Sequence, residues 1–138
     1  MPANVIGFVY LITHVDTGLK YIGKKSLYTT RNIPYGKKAY EQLKIARQEL
    51  GMRGATPKKQ KVIKESNWLN YYSSNDIIRN MVKEGKQCEF QREILQYAYD
   101  KKELTYLETK FQFLHNVLED DNYLNSNILG KFYPNPKS

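Results

Sequence analysis

The sequence predicts an α+β domain in which a three-stranded antiparallel sheet is flanked by helices, and three observations carry that expectation. Residues 5–13 are β-branched and aromatic, and a turn at Asp16-Thr17-Gly18 returns the chain into Leu19-Lys20-Tyr21-Ile22-Gly23, the pattern of an antiparallel hairpin. Phe90-Gln91-Arg92-Glu93-Ile94-Leu95 supplies a third strand. Apolar side chains then recur at helical spacing from Lys101 to Leu118, at Leu104, Leu107, Phe111, Leu114 and Leu118. The resulting order β-β-α-α-β-α is that of helices packed on an antiparallel sheet.

Alternation places Phe8, Tyr10 and Ile12 on one face of the first strand, and Leu19, Tyr21 and Gly23 on one face of the second, so Tyr10 and Tyr21 are expected to be neighbours. Pro, Thr and Asn between Ser26 and Tyr35 read as a loop. From Lys37 to Leu50 the spacing of Ala39, Leu43, Ala46 and Leu50 predicts a helix ended by Gly51, and Gly51 to Pro57 reads as a basic loop. Ser66-Asn67 can cap a short turn around Trp68. Ser73-Ser74-Asn75 starts a second helix that carries Ile77, Ile78, Met81 and Val82 to a stop at Gly85. The segment Tyr123 to Tyr133, rich in Asn and Gly, is loop or short strand. A chain of 138 residues without repeats or low-complexity linkers is expected to be one domain over 1–138, with a basic insertion at about 32–66.

With 41% hydrophobic residues the chain can build a core, which excludes wholesale disorder. No apolar run approaches the ~18 residues of a membrane helix, and the start MPANVIGFVY has neither a basic segment nor a cleavage site, so a soluble intracellular protein is expected. Cys88 is the single cysteine, which excludes an internal disulfide, and one cysteine with two histidines cannot assemble a Cys/His zinc site. The net charge of +8 is unevenly spread. Between Lys20 and Lys64 thirteen Lys/Arg face only Glu41 and Glu49, a balance of +11, whereas the rest of the chain sums to −3. Such a block attracts phosphate through counterion release, and the twelve tyrosines offer stacking beside it. Its alternative role is a lysine-rich surface that keeps the protein soluble.

One residue breaks the pattern of the long helix. Glu108, four after Leu104 and three before Phe111, falls inside the apolar stripe. Burying an unpaired carboxylate is costly, so a metal, a catalytic network or a salt bridge to a cation at the stripe's edge has to receive it. His115 projects near the same stripe and reads as a core histidine.

The hairpin carries a resemblance. Gly7-Phe8-Val9-Tyr10, with Tyr21-Ile22-Gly23 at an eleven-residue spacing from tyrosine to tyrosine and then Lys24-Lys25, resembles the paired motif of the GIY-YIG nuclease superfamily, with Phe-Val-Tyr standing where the family has Gly-Ile-Tyr. Members place an arginine about ten residues after the second tyrosine, normally at the start of a helix, then a glutamate on a later helix and an asparagine after it. Arg31, Glu108 and Asn125 take those places, with Arg47 as the alternative arginine. Together with Trp68-Leu69-Asn70-Tyr71-Tyr72-Ser73-Ser74, Phe90-Gln91-Arg92-Glu93-Ile94-Leu95 and Asn127-Ile128-Leu129-Gly130-Lys131-Phe132-Tyr133, the chain is similar to the phage group typified by the Seg homing endonucleases.

The resemblance implies a metal-dependent endonuclease that hydrolyses phosphodiester bonds in DNA, double-stranded by expectation, in the cytoplasm of a bacterial host. It implies one magnesium or manganese ion held by Glu108, since hard cations take oxygen ligands. Tyr10 would act as general base, which demands a hydroxyl pKa below the usual ~10, with Tyr21 orienting the nucleophile or the phosphate. Lys24, Lys25 and Arg31 would lower that pKa, and the arginine would also clamp the scissile phosphate. Asn125 would support Glu108 or the phosphate from behind. Lys24, Lys25, Lys37, Lys38, Arg47, Lys58, Lys59 and Lys61 are the expected nucleic-acid contacts. The chain would work as a monomer or as a dimer assembled on the substrate. The competing function is a catalytically weak or inactive module of phage origin that binds nucleic acid, RNA included, or protein.

Overall fold

The chain runs β1 (Gly7–His14), β2 (Lys20–Ser26), β3 (Tyr28–Pro34), α1 (Lys37–Glu49), β4 (Lys59–Glu65), α2 (Asp76–Lys83), β5 (Phe90–Ala98) and α3 (Lys101–Leu114), with short 3-10 turns at Trp68–Asn70 and Gln87–Glu89. This computed structural model describes residues 1–134. Two units emerge: Met1–Leu27 with the chain from Ser66 onward, and Tyr28–Glu65.

In the first unit β1 is the central strand of an antiparallel sheet ordered β2-β1-β5. Both of its faces are covered, which is why the sequence from Gly7 to Ile12 is almost continuously apolar. Toward one face Val9, Ile22 and Ala98 pack with Leu104 and Leu107 of α3 and with Val117 and Ile128. Toward the other, Phe8, Tyr10 and Ile12 pack with Val5, Leu27 and Ile78 of α2, and Trp68 and Tyr71 close over them. The face expected for Phe8, Tyr10 and Ile12 is therefore the observed one. Each fully buried aliphatic side chain contributes about 1.5–3 kcal/mol, so these two layers hold the sheet between α3 and α2. Gly7 lets α3 lie directly on β1: a Cβ there would stand 2.8 Å from Leu104 Cδ2 and 2.7 Å from the Lys25 carbonyl. A bulge interrupts the β1–β5 ladder between Val9, opposite Gln96, and Tyr10, opposite Ile94.

Helix α3 begins where Asp100 accepts the Glu103 N–H at 2.7 Å and the Glu103 carboxylate accepts the Tyr99 N–H at 3.2 Å, a reciprocal cap. It ends at Leu114, short of the expected Leu118, because the chain turns at Asn116 with φ +53°. The later segment expected as loop or short strand lies along the free edge of β2: Lys20 donates to Asn122 O and accepts from Leu124 N, both at 2.7 Å.

The second unit corrects one expectation. Ser26 to Tyr35 is not a loop, since Tyr28–Pro34 forms β3 and pairs with β4 from Tyr28 opposite Glu65 to Pro34 opposite Lys59. Ile33 and Val62 are the only half-buried residues of these two strands, and none of the side chains of α1 is buried. A ribbon exposed on both faces has no apolar alternation for the sequence to display. Helix α1 itself falls where its spacing predicts. Among the described residues no helix is long and apolar enough to cross a membrane.

Candidate active site

The outward edge of β2 presents the backbone groups of Lys20, Ile22 and Lys24 in succession, and three different partners satisfy them. Lys20 bonds the backbone of residues 122 and 124. Ile22 is held by side chains: Asn125 Oδ1 accepts its N–H at 3.1 Å, Asn125 Nδ2 donates to its carbonyl at 2.8 Å, and Gln112 Nε2 donates to the same carbonyl at 3.1 Å. At Lys24 the acceptor is the Glu108 carboxylate, which takes the backbone N–H. Glu108 and Gln112 are one helical turn apart on α3, so both reach the same strand edge. The carboxylate that breaks the apolar stripe is thus received by a strand edge and not by a surface ion pair.

Around this edge opens a cavity of about 510 Å³. Tyr21, Lys24, Glu108, Gln112 and Asn125 line it, together with Ser74, Asn75 and Asp76 from the start of α2. Burial pushes the Glu108 carboxyl above its usual range, and Lys24 pulls it back through its charge and its N–H. Tyr21 is half-buried and its hydroxyl lies 3.5 Å from Ser74 Oγ. Burial also raises its pKa, with the Glu108 charge adding to the rise and the Ser74 bond opposing it. Carboxylate, amide and hydroxyl oxygens make a donor set that fits a hard divalent cation and has no thiolate to favour a soft one.

Tyr10 lies elsewhere in the same neighbourhood. Its ring centroid is 6.4 Å from that of Tyr21, so the expected neighbours meet, but Tyr10 is fully buried and its hydroxyl bonds the side chains of Ser73 and Tyr71. Burial drives its pKa far upward, with Tyr71 and Tyr21 adding to the effect. This is the reverse of the depression that a general base requires. The lysines do not supply the correction: Lys24 Nζ donates to Thr105 Oγ1 at 2.9 Å, and Lys25 Nζ stands 4.0 Å over the Tyr71 ring. Gly23 explains how the two tyrosines fit, because a Cβ at this position would lie 2.5 Å from the Tyr10 hydroxyl and 2.9 Å from Tyr21 Cε1.

The remaining expected residues divide by unit. Lys24, Glu108, Tyr21 and Asn125 belong together in the cavity. Arg31, on β3 opposite Val62, and Arg47, in the last turn of α1 with Nη2 3.4 Å from Arg53 O, belong to the second unit together with Lys37, Lys38, Lys58, Lys59 and Lys61. The first unit offers another arginine. Helix α2 is capped by Asn75, whose side chain accepts from Ile77 N and Ile78 N, and carries Arg79 on its first turns. Arg79 lines a smaller cavity of about 390 Å³ that shares Ser74 with the larger one, and among the described residues its ion pair is a long one, 3.9 Å to Asp76. The signal for Arg79 is in the sequence as an arginine that follows the Ser73-Ser74-Asn75 cap. Asp76 was likewise not anticipated as a wall of the cavity.

A separate group of ligand types, His14, Asp16 and Glu89, has its donor atoms within 4.8 Å of one another at the far end of β1. His14 is already engaged at both ring nitrogens, 3.0 Å from Glu89 Oε1 and 2.7 Å from Thr17 Oγ1, where it ties the hairpin turn to the start of β5.

A protein-family model described as "Putative endonuclease segE, GIY-YIG domain" matches residues 1–128, a span that takes in both tyrosines, Glu108 and Asn125. Comparison with curated proteins and with solved structures finds no significant match.

Proposed function

We propose, from the premise that the chain belongs to the GIY-YIG endonuclease-domain family, that it hydrolyses phosphodiester bonds in DNA with one divalent cation, magnesium or manganese, held at Glu108. The observation that carries this reading is the meeting of Tyr21, Lys24, Glu108 and Asn125 in one polar cavity. A cation bound there supplies charge neutralisation on the phosphoryl oxygens and help for the departing 3'-oxygen. The chain's own residues do the rest. Asn125 and Gln112 fix Ile22, which fixes the strand edge from which the Lys24 N–H aims the Glu108 carboxylate. Tyr21, whose ring reaches the cavity, orients the attacking water through its hydroxyl. Tyr10 positions Tyr21 from behind. Arg79 clamps a phosphate in two-pronged fashion, in preference to Arg31 and Arg47, because it belongs to the unit that holds the cavity. The lysines of the second unit grip the duplex backbone.

Supercoiled plasmid incubated with magnesium, with chelator, and with Glu108→Gln tests the proposal. Cutting by the wild type in magnesium, lost in chelator and reduced at least a hundredfold in the variant while DNA affinity persists, is the expected result. Full activity in Glu108→Gln would remove the metal assignment. Binding without any cutting would favour the inactive-module reading.

A further inference from the structure

A second depression adjoins the cavity, and one residue belongs to both. Lys101, Lys102, Thr105, Tyr106 and Thr109 on the outer face of α3 line a groove of about 570 Å³ whose remaining wall is Leu129. Leu129 also lines the cavity that holds Glu108. The boundary is bridged a second time, since Lys24 lines the cavity and its Nζ bonds Thr105 in the groove. The groove has an apolar floor, exposed at Tyr106 and Leu129, and a rim carrying two lysines. The acids at this end of α3, Asp100 and Glu103, are occupied in capping the helix.

The backbone at Leu129 is out of the ordinary. Lys131 N–H bonds Ile128 O at 3.1 Å and closes a tight turn whose two central residues, Leu129 and Gly130, have φ of +60° and +66°. Turns of this kind select Asn, Asp or Gly at the first central place, and leucine there is strained. The turn is nonetheless held firmly: Ile128 is buried in the core, Gly130 N–H donates to Asn127 Oδ1 at 2.8 Å, and Tyr133 Oη donates to Gly130 O at 3.1 Å. An anchored turn that spends strain to keep a half-exposed leucine at the rim of a reaction cavity calls for a use of that side chain.

We propose that the α3 groove seats the DNA strand on one side of the scissile phosphate, with Leu129 wedged against an unstacked base and Tyr106 stacking beneath it. This rests on the endonuclease reading above. Charge complementarity commits the groove to a polyanion, because Lys101 and Lys102 line it and Lys24, in the adjoining cavity, bonds its Thr105. Apolar wedges of this size are what proteins insert between base steps. Leu129 and Tyr106 then decide where along the strand the cut falls, while Glu108 decides that it is cut.

The test uses plasmid and a duplex that spans a mapped cut, with 2-aminopurine beside it and chelator present. The wild type should raise the probe's fluorescence on binding. Leu129→Gly relieves the strained turn, so its melting temperature should equal or exceed the wild type's, yet the fluorescence rise should vanish and KM for cutting should increase about tenfold. Tyr106→Ala should repeat the kinetic effect. Wild-type protein that cuts while both variants cut equally well, with unchanged fluorescence, overturns the groove and leaves the endonuclease standing. A wild type that neither binds nor cuts DNA overturns both. A dimeric mass in solution that Leu129→Gly abolishes would give the groove to a second copy of the chain and also overturn the proposal.

Discussion

Tyr10 and Gly23 face each other across the β1–β2 ladder, and the tyrosine hydroxyl occupies the space that a side chain at 23 would need. The two halves of the motif are therefore one packing unit, which the sequence displays as a fixed spacing without displaying the reason. Burial of Tyr10 makes a pH prediction. Its folded pKa lies above the unfolded value of ~10, so the folded state keeps a proton that the unfolded state releases, and the stability it contributes is present below pH ~10 and lost as pH rises. Chemical denaturation between pH 9 and 11 should show stability falling with pH. In Tyr10→Phe that slope should be shallower by up to about 1.4 kcal/mol per pH unit. An identical slope would mean that the hydroxyl titrates freely. Glu108 was legible because a carboxylate interrupting an apolar stripe is a local anomaly. The membership of Arg79 in the unit that holds the cavity was not, because only the fold shows that the helix after the insertion belongs to the unit containing the hairpin. The role of Asn125 was hidden for a different reason, since its partners are backbone groups, which no side-chain pattern encodes.

At the level of elements, β2 depends on side chains to complete its outer edge. Asn125→Ala removes both bonds to Ile22 and leaves a buried N–H unpaired, at a cost of about 1–3 kcal/mol in urea melts. Asn125→Asp keeps the acceptor but sets a buried carboxylate against the Ile22 carbonyl, so at neutral pH its cost should equal or exceed that of the alanine variant. If both variants match the wild type in stability, the edge is held by the backbone of residues 122–124 alone. The hairpin, β5, α2 and α3 were all legible, because burial on one face or both stamps a period on the sequence. Strands β3 and β4 left no such mark. Thr29, Thr30, Arg31 and Asn32 on one side and Lys59, Gln60 and Lys61 on the other are exposed, and a two-stranded ribbon in water needs only backbone pairing.

For the molecule as a whole, the second unit enters and leaves the first at one point: Ser66 N–H bonds Leu27 O at 2.7 Å. Replacing Tyr28–Glu65 by an Asn-Gly turn should therefore leave a protein that melts cooperatively. Loss of the cooperative melt would mean that the first unit cannot fold without its insertion. In the full chain, neutralising Lys58, Lys59 and Lys61 together should weaken DNA binding on every sequence and flatten the salt dependence by up to about 0.9 per lost phosphate contact. An unchanged slope would return these lysines to a solubility role.

The second unit, in which no side chain of either strand or of α1 is buried, has a further consequence on the timescale of opening. Its backbone amides are protected by pairing alone, whereas those of β1 are sealed under two apolar layers. Deuterium should enter Tyr28–Glu65 through local fraying orders of magnitude sooner than it enters β1, which opens only when the whole first unit unfolds. The ribbon and its helix can then be lost and regained many times within the lifetime of one folded core, and a polyanion gripped by the lysines of this segment would register as slowed exchange there.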